Sequence, residues 1–213
     1  MRLSFLLIWL LVVSACTSSR QLTPLGEVPQ RVSVDVQETN YTIVGSTDRD
    51  LLEGMRIGGP GSGWFRFQWN MRWAYDQTVL QQSSITRGRV SQNRCGINAI
   101  RITLTFRSTV PEWEPPADVD PQLVAQWQTF TDAIRLHGEG HRDVALDAVR
   151  KIHRELELLE TEDTQNCTFL QREARNVVDE IWEEHRQIDR AYHDDTQGGR
   201  SQGVVWPPRS TGT

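Results

Sequence analysis

The residue types best suited to chemistry in this chain are concentrated in Leu136-His137-Gly138-Glu139-Gly140-His141-Arg142-Asp143. An i, i+4 pair of histidines on a helix points both rings the same way, which is how one helix offers two imidazoles to a single zinc ion. Trp127, Phe130, Ile134, Ala145, Ala148, Ile152, Leu156 and Leu159 repeat with helical spacing, and positions 137 and 141 fall on that apolar stripe. Imidazoles on a buried stripe must have their ring nitrogens satisfied, either by a metal or by hydrogen bonds in the core. Spacing alone leaves both open. The nearest carboxylate is Glu139, a candidate base for hydrolytic chemistry. A helix turns roughly 100° per residue, so position 138 lies about 80° from the mean direction of the two histidines and position 139 about 180° from it. Glu139 can therefore reach a metal on His137 and His141 only from a distorted helix. Gly138 and Gly140, each about 1 kcal/mol worse than alanine in a helix interior, make such distortion conceivable.

The elements that must position these residues follow from the apolar periods. One long helix is predicted from about Pro121, ending before Asn166. A second runs from about Thr168, with Leu170, Ala174, Val177, Ile181, Ile188 and Tyr192 on its inner stripe, and Gly198-Gly199 ends it. His185 falls on that inner stripe and is the candidate third metal ligand from across the helix interface; Glu184, His193 and Asp194 are lesser candidates. His153 lies just off the first stripe and reads as a structural or surface residue. Upstream, Tyr41 to Val44 has strand character, and Thr47 to Met55 reads as a short capped helix. Phe65, Phe67, Trp69, Met71, Trp73 and Tyr75 alternate with mostly polar residues, an aromatic stripe suited to packing against helices or, less simply, to lining a substrate groove. Val79 to Val90 is a weaker strand pair, and Ile100, Ile102, Leu104 and Phe106 form another alternating strand. The resulting fold class is α+β: an antiparallel sheet followed by two long C-terminal helices packed on it. The domain is expected over residues 32–208, with Val204-Val205-Trp206 extended and 209–213 a polar tail.

The first residues carry an export signal. Arg2 precedes a nearly unbroken apolar run from Leu3 to Val13, too short to span a bilayer. Val13-Ser14-Ala15-Cys16 resembles the lipobox of bacterial lipoproteins, so residues 1–15 are expected to be removed and Cys16 lipidated, with 16–31 as a tether. Thr17 rather than Asp after the cysteine implies sorting to the outer membrane, facing the periplasm. The expected partner is thus a membrane, through the lipid anchor. A net charge of −5 argues against nucleic-acid binding. With Cys16 assigned to lipid, an oxidising envelope favours pairing Cys95 with Cys167. That disulfide would close a loop of roughly 70 residues, for which chain entropy gives about 4 kcal/mol.

From Tyr41 to Pro207 the chain resembles a bacterial domain of unknown function described as a predicted secreted zinc-dependent protease. The resemblance rests on Tyr41-Thr42-Ile43-Val44-Gly45, Gly59-Pro60, the Trp69 to Tyr75 strand, Cys95, Pro111-Glu112-Trp113 and the segment around His137 and His141. Cys167 and Tyr192-His193-Asp194-Asp195-Thr196-Gln197-Gly198-Gly199 complete it. It implies a zincin-like fold, zinc held by His137 and His141, and hydrolysis of a peptide or protein substrate; the alternative is a non-catalytic binding or structural lipoprotein that keeps the fold. Two departures bear on activity. The family's helix has the form H-E-x-x-H, and here Gly138 stands at the glutamate position. Near the chain end the family pattern is Tyr-Asp-x-x-Thr-x-His-Gly, where this chain has His193 for the aspartate and Gly198 for the histidine.

Overall fold

The computed structural model describes residues 31–61, 63–82, 93–163 and 167–208. The expected signal peptide, Cys16, nearly all of the tether, residues 83–90 of the Val79–Val90 strand pair and the tail 209–213 lie outside the described residues. Strand β1 (Val32–Ile43) leads to helix α1 (Asp48–Gly58), then strands β2 (Arg66–Gln82) and β3 (Asn93–Trp113). Helix α2 (Pro121–Glu157), the short strand β4 (Glu160–Asp163), helix α3 (Thr168–Asp195) and a 3-10 turn (Arg200–Gln202) follow. Local chemistry sets the helix starts. Thr47 and Asp50 form a reciprocal capping box on α1, and Asp120 caps α2 by accepting from Gln122 N, with Pro121 in the first turn. Among the described residues, no helix is long and apolar enough to cross a membrane.

The sheet order is β1-β3-β2, with β4 also on β3. The α+β class is as expected, but the sheet is mixed rather than antiparallel: β2 and β4 run antiparallel to β3, whereas β1 runs parallel to it, from Val32 opposite Ile102 to Ile43 opposite Trp113. The reason is topological. A hairpin joins only antiparallel neighbours, and between β1 and β3 the chain makes α1 and then all of β2, so β1 lies on the far edge of β3 and enters in the same direction. At 21 residues β3 is long enough for β1 and β4 to share that edge, β4 pairing with Asn93 to Gly96. Alternation of β3 fixes register: Ile100, Ile102, Leu104 and Phe106 all face the helices.

Two apolar clusters tie α2 to the rest. Near its start, Trp127, Phe130 and Ile134 pack with Trp113, α1 residues Leu51 and Met55, and Trp206. Near its end, Leu146, Val149, Ile152 and Leu156 pack with Ile100, Ile102 and Leu104 of β3 and with Ala174, Val178 and Ile181 of α3. Trp206 is therefore part of the core, its Nε1 donating to Asp48 O at 2.9 Å, and the final segment is pinned back across the molecule. The inner stripe of α3 is rotated slightly from expectation: Val178 is buried, and Ile188 is 43% exposed. A disulfide joins Cys95 of β3 to Cys167, the residue that precedes α3.

Candidate metal centre

His137 and His141 lie on α2 between its two apolar clusters, and both are buried. Their Nε2 atoms face each other at 3.2 Å. The other ring nitrogens are taken: His141 Nδ1 donates to Asp189 Oδ1 at 2.7 Å, and His137 Nδ1 to Gln202 Oε1 at 2.9 Å. The Gln202 orientation is fixed in turn, because its Nε2 donates to the Tyr192 hydroxyl at 3.0 Å while that hydroxyl donates to His137 O at 3.1 Å. With Nδ1 carrying the proton on both rings, both Nε2 lone pairs point into the same space. Burial pushes the His137 imidazole down to about 4, which keeps it in the neutral, ligating form at neutral pH.

The third member is His193. One ring nitrogen each from His137, His141 and His193 lie within 4.8 Å of one another, and this is the group able to hold a metal among the described residues. The His193 ring centroid is 5.7 Å from that of His137 and 5.9 Å from that of His141, and unlike them His193 is exposed. Two buried histidines thus form the fixed half of the group, and the third closes it from the solvent side. Asp189 and His193 are one turn apart on α3, so a single helix face supplies both the acceptor for His141 and the third imidazole.

His185, the expected third ligand, is engaged elsewhere. Its Nδ1 donates to Ile181 O at 2.8 Å and its Nε2 meets Asp147 Oδ2 of α2 at 3.1 Å, so neither nitrogen is available to the group. Glu184 pairs with Lys151 at 2.6 Å. Asp194 lines the cleft beside His193, and His153 is a buried residue whose Nδ1 meets Glu157 at 3.4 Å.

Helix α2 is continuous through the two glycines, so the distortion that would turn Glu139 toward the histidines does not occur. Glu139 instead lines a separate cavity on the other side of Phe67. The glycines serve packing. A Cβ at Gly138 would lie 2.6 Å from the Phe67 ring, and one at Gly140 would lie 2.1 Å from Tyr192 Cζ. Phe67 and Tyr192 therefore press against the helix backbone: Phe67 contacts both histidines, and Tyr192 stacks on His137 at 5.3 Å. The space that a glutamate at position 138 would need is filled by Phe67. After α3, Gly199 adopts a left-handed φ of 87°, and a Cβ there would come within 3.0 Å of His137 Cγ; this close turn returns the chain so that Gln202 reaches His137.

The histidines open into a cleft of about 380 Å³ bordered by Phe65, Phe67, Asp189, Arg190 and Asp194. The aromatic stripe from Phe65 into β2 is consequently divided: Phe65 and Phe67 line the cleft, while Trp69 packs edge-on against Trp182 of α3 at 4.5 Å. The sequence signals for this arrangement were present but weak. Asp189 sits one turn from His185 on the inner face of α3, and an acid on a buried stripe asks for a partner.

No curated protein and no solved structure matches this chain. The family described as a bacterial protein of unknown function (DUF922) matches residues 38–199, a span that contains His137, His141, His193, Asp189 and Tyr192, and the chain belongs to that family.

Proposed function

We propose that this chain is a lipid-anchored envelope protein whose domain binds zinc through His137, His141 and His193, leaving one coordination position open to the cleft, and that it has no glutamate base on α2. The observation that carries this reading is the approach of two Nε2 atoms to 3.2 Å with each Nδ1 held by an oxygen acceptor. Tetrahedral zinc with nitrogen ligands at about 2.0–2.1 Å spaces those nitrogens about 3.3 Å apart. Two Nε2 atoms at this separation suit a shared zinc ion, and Asp189 and Gln202 would be the outer partners that orient its imidazoles. Three imidazoles suit zinc, and when bound with an open position the ion supplies Lewis-acid chemistry.

The chain's own residues define what surrounds that position. Phe65 and Phe67 form an apolar wall, Arg190 and Asp194 a polar one, and Asp189 is committed to His141. Asp194 is then the remaining carboxylate of the cleft able to accept a proton, whereas Glu139 faces another cavity. The lipobox-like Val13-Ser14-Ala15-Cys16 supports the anchor.

Elemental analysis of protein purified from envelopes without added metal tests the centre: close to one zinc per chain is expected, and its absence from the wild type would sink the reading. A fatty-acid label lost in Cys16→Ser is expected for the anchor; equal labelling of both proteins excludes it. Peptide hydrolysis silenced by Glu139→Gln would show that a base on α2 does operate.

A further inference from the structure

On the opposite side of Phe67 from the histidines, α2 and the β1–β3 edge enclose a second cavity of about 220 Å³. Phe67 is the one residue that lines both it and the histidine cleft. Its floor is apolar, built from Phe106, Val110 and Ile134, with Val36 at the rim. Around that floor stand Glu38, Ser108, Glu139 and Arg142. Glu38 and Ser108 are register partners across β1 and β3 and touch only at 3.4 Å. Arg142 Nε is buried with no hydrogen-bond partner, and among the described residues Arg142, Glu38 and Glu139 form no ion pair. Arg135, the other cation at the rim, is directed to Asp132 at 3.0 Å.

An apolar floor ringed by a few polar groups is the usual composition of a small-molecule site. Here both signs of charge are present and unpaired, so a purely anionic or purely cationic ligand would meet one group of its own sign. The volume is below the roughly 300–1,000 Å³ of clefts for drug-sized molecules, which limits the occupant to something very small. A free amino acid with an apolar side chain satisfies all three constraints: its carboxylate suits the terminal guanidinium nitrogens of Arg142, its ammonium suits Glu139 and Glu38, and its side chain suits Phe106, Val110 and Ile134.

We propose that this cavity is a binding site for a small apolar α-amino acid, distinct from the histidine group and independent of its metal. The site gives Glu139 a role in ligand recognition in place of base catalysis.

The test is a titration of the folded protein as purified, with or without bound metal, with L-leucine, followed by backbone amide resonances. Two truncated probes run beside it: 4-methylpentanoate, which lacks the ammonium, and 3-methylbutylamine, which lacks the carboxylate. Saturable shifts are expected at Val36, Val110 and Thr131, with both truncated probes about tenfold or more weaker, since each loses a charge-assisted contact. Arg142→Met should weaken leucine by a similar factor and Glu139→Gln by several-fold. If Arg142→Met fails to fold, Glu139→Gln and the two truncated probes carry the test. The proposal is overturned by absence of saturation with leucine, by equal binding of either truncated probe, or by unchanged affinity in a folded Arg142→Met protein. Shifts centred on Phe65 and His193 would also overturn it, because they would place the amino acid in the histidine cleft.

Discussion

His141 and His185 are counterparts across the α2–α3 interface. Each is buried on the inner face of its helix, and each meets an aspartate from the other helix, Asp189 at 2.7 Å for His141 and Asp147 at 3.1 Å for His185. They differ in the second ring nitrogen. That of His185 donates to Ile181 O of its own helix, so both nitrogens have an oxygen partner. That of His141 meets the Nε2 of His137, itself oriented by Gln202, with His193 alongside. Burial and a carboxylate partner are therefore common to a structural histidine and a candidate ligand, and the fate of the remaining nitrogen separates them.

The largest effects come from breaking each counterpart in turn. His137→Ala or His141→Ala should reduce bound zinc to background, because it removes half of the fixed pair from a site whose binding energy is of the order of 10 kcal/mol. His185→Ala should keep full zinc and lose stability, by about 2–4 kcal/mol, through the volume vacated by a buried ring. Zinc content measured beside denaturant unfolding distinguishes the two; zinc lost from His185→Ala would collapse the contrast.

The disulfide tests whether the two ends of α3 act separately. It closes 72 residues of chain, and removing it in Cys95→Ser should cost about 4 kcal/mol in unfolding free energy. Cys167 and His193 stand at opposite ends of a helix on which they are roughly 40 Å apart at 1.5 Å per residue. Zinc stoichiometry should therefore remain unchanged in the folded mutant. A parallel fall in both would mean that the histidine group depends on the anchored end.

A smaller effect is expected with pH in the metal-free protein. His137 is held by burial at about 4, below its ordinary 6.5, so between these values the unfolded chain binds more protons than the folded one. The stability that follows from keeping His137 neutral is complete above about 6.5 and is lost as pH falls through 4. Thermal unfolding at a series of pH values should show this loss in the wild type and its attenuation in His137→Phe. The comparison is sharpened if zinc shifts the loss to lower pH, as protons then compete with the metal for the same nitrogens.

The sequence carried the class of fold well because its periods were clean: the Phe65 to Tyr75 alternation, the two long helical stripes and the late Cys167 all mark their elements. The direction of β1 was not legible, since a strand looks the same parallel or antiparallel and only the path through α1 and β2 decides it. For the site, helical geometry sufficed to turn Glu139 away from His137 and His141. It could not reveal that Phe67 fills the space at position 138, which depends on a strand 71 positions earlier in the chain approaching the helix backbone. His185 was the more attractive third ligand from periodicity alone, because a stripe reports burial and says nothing of whether Asp147 or a metal awaits the ring.

The smallest net effect is expected from moving the third ligand. His193 is the exposed member of the group, and Gly198 lies directly behind its ring: a Cβ at position 198 would sit 3.4 Å from His193 Cε1 and 3.5 Å from Nε2. A histidine side chain grown from that point would project into the volume the His193 ring now occupies, once that ring is removed. The backbone permits it at moderate cost. Gly198 has a left-handed φ of 65°, a region where histidine is among the more tolerated side chains, and the strain is roughly 1–2 kcal/mol. His193→Ala alone should weaken zinc binding by about a hundredfold or more, leaving the buried pair to hold the ion with two nitrogens. His193→Ala combined with Gly198→His should recover most of that loss, with slightly lower stability than the wild type. Competition with a calibrated chelator measures all three affinities. A double variant that binds no better than His193→Ala would mean that position 198 does not address the metal position, and the group would then depend on a histidine delivered from α3 itself.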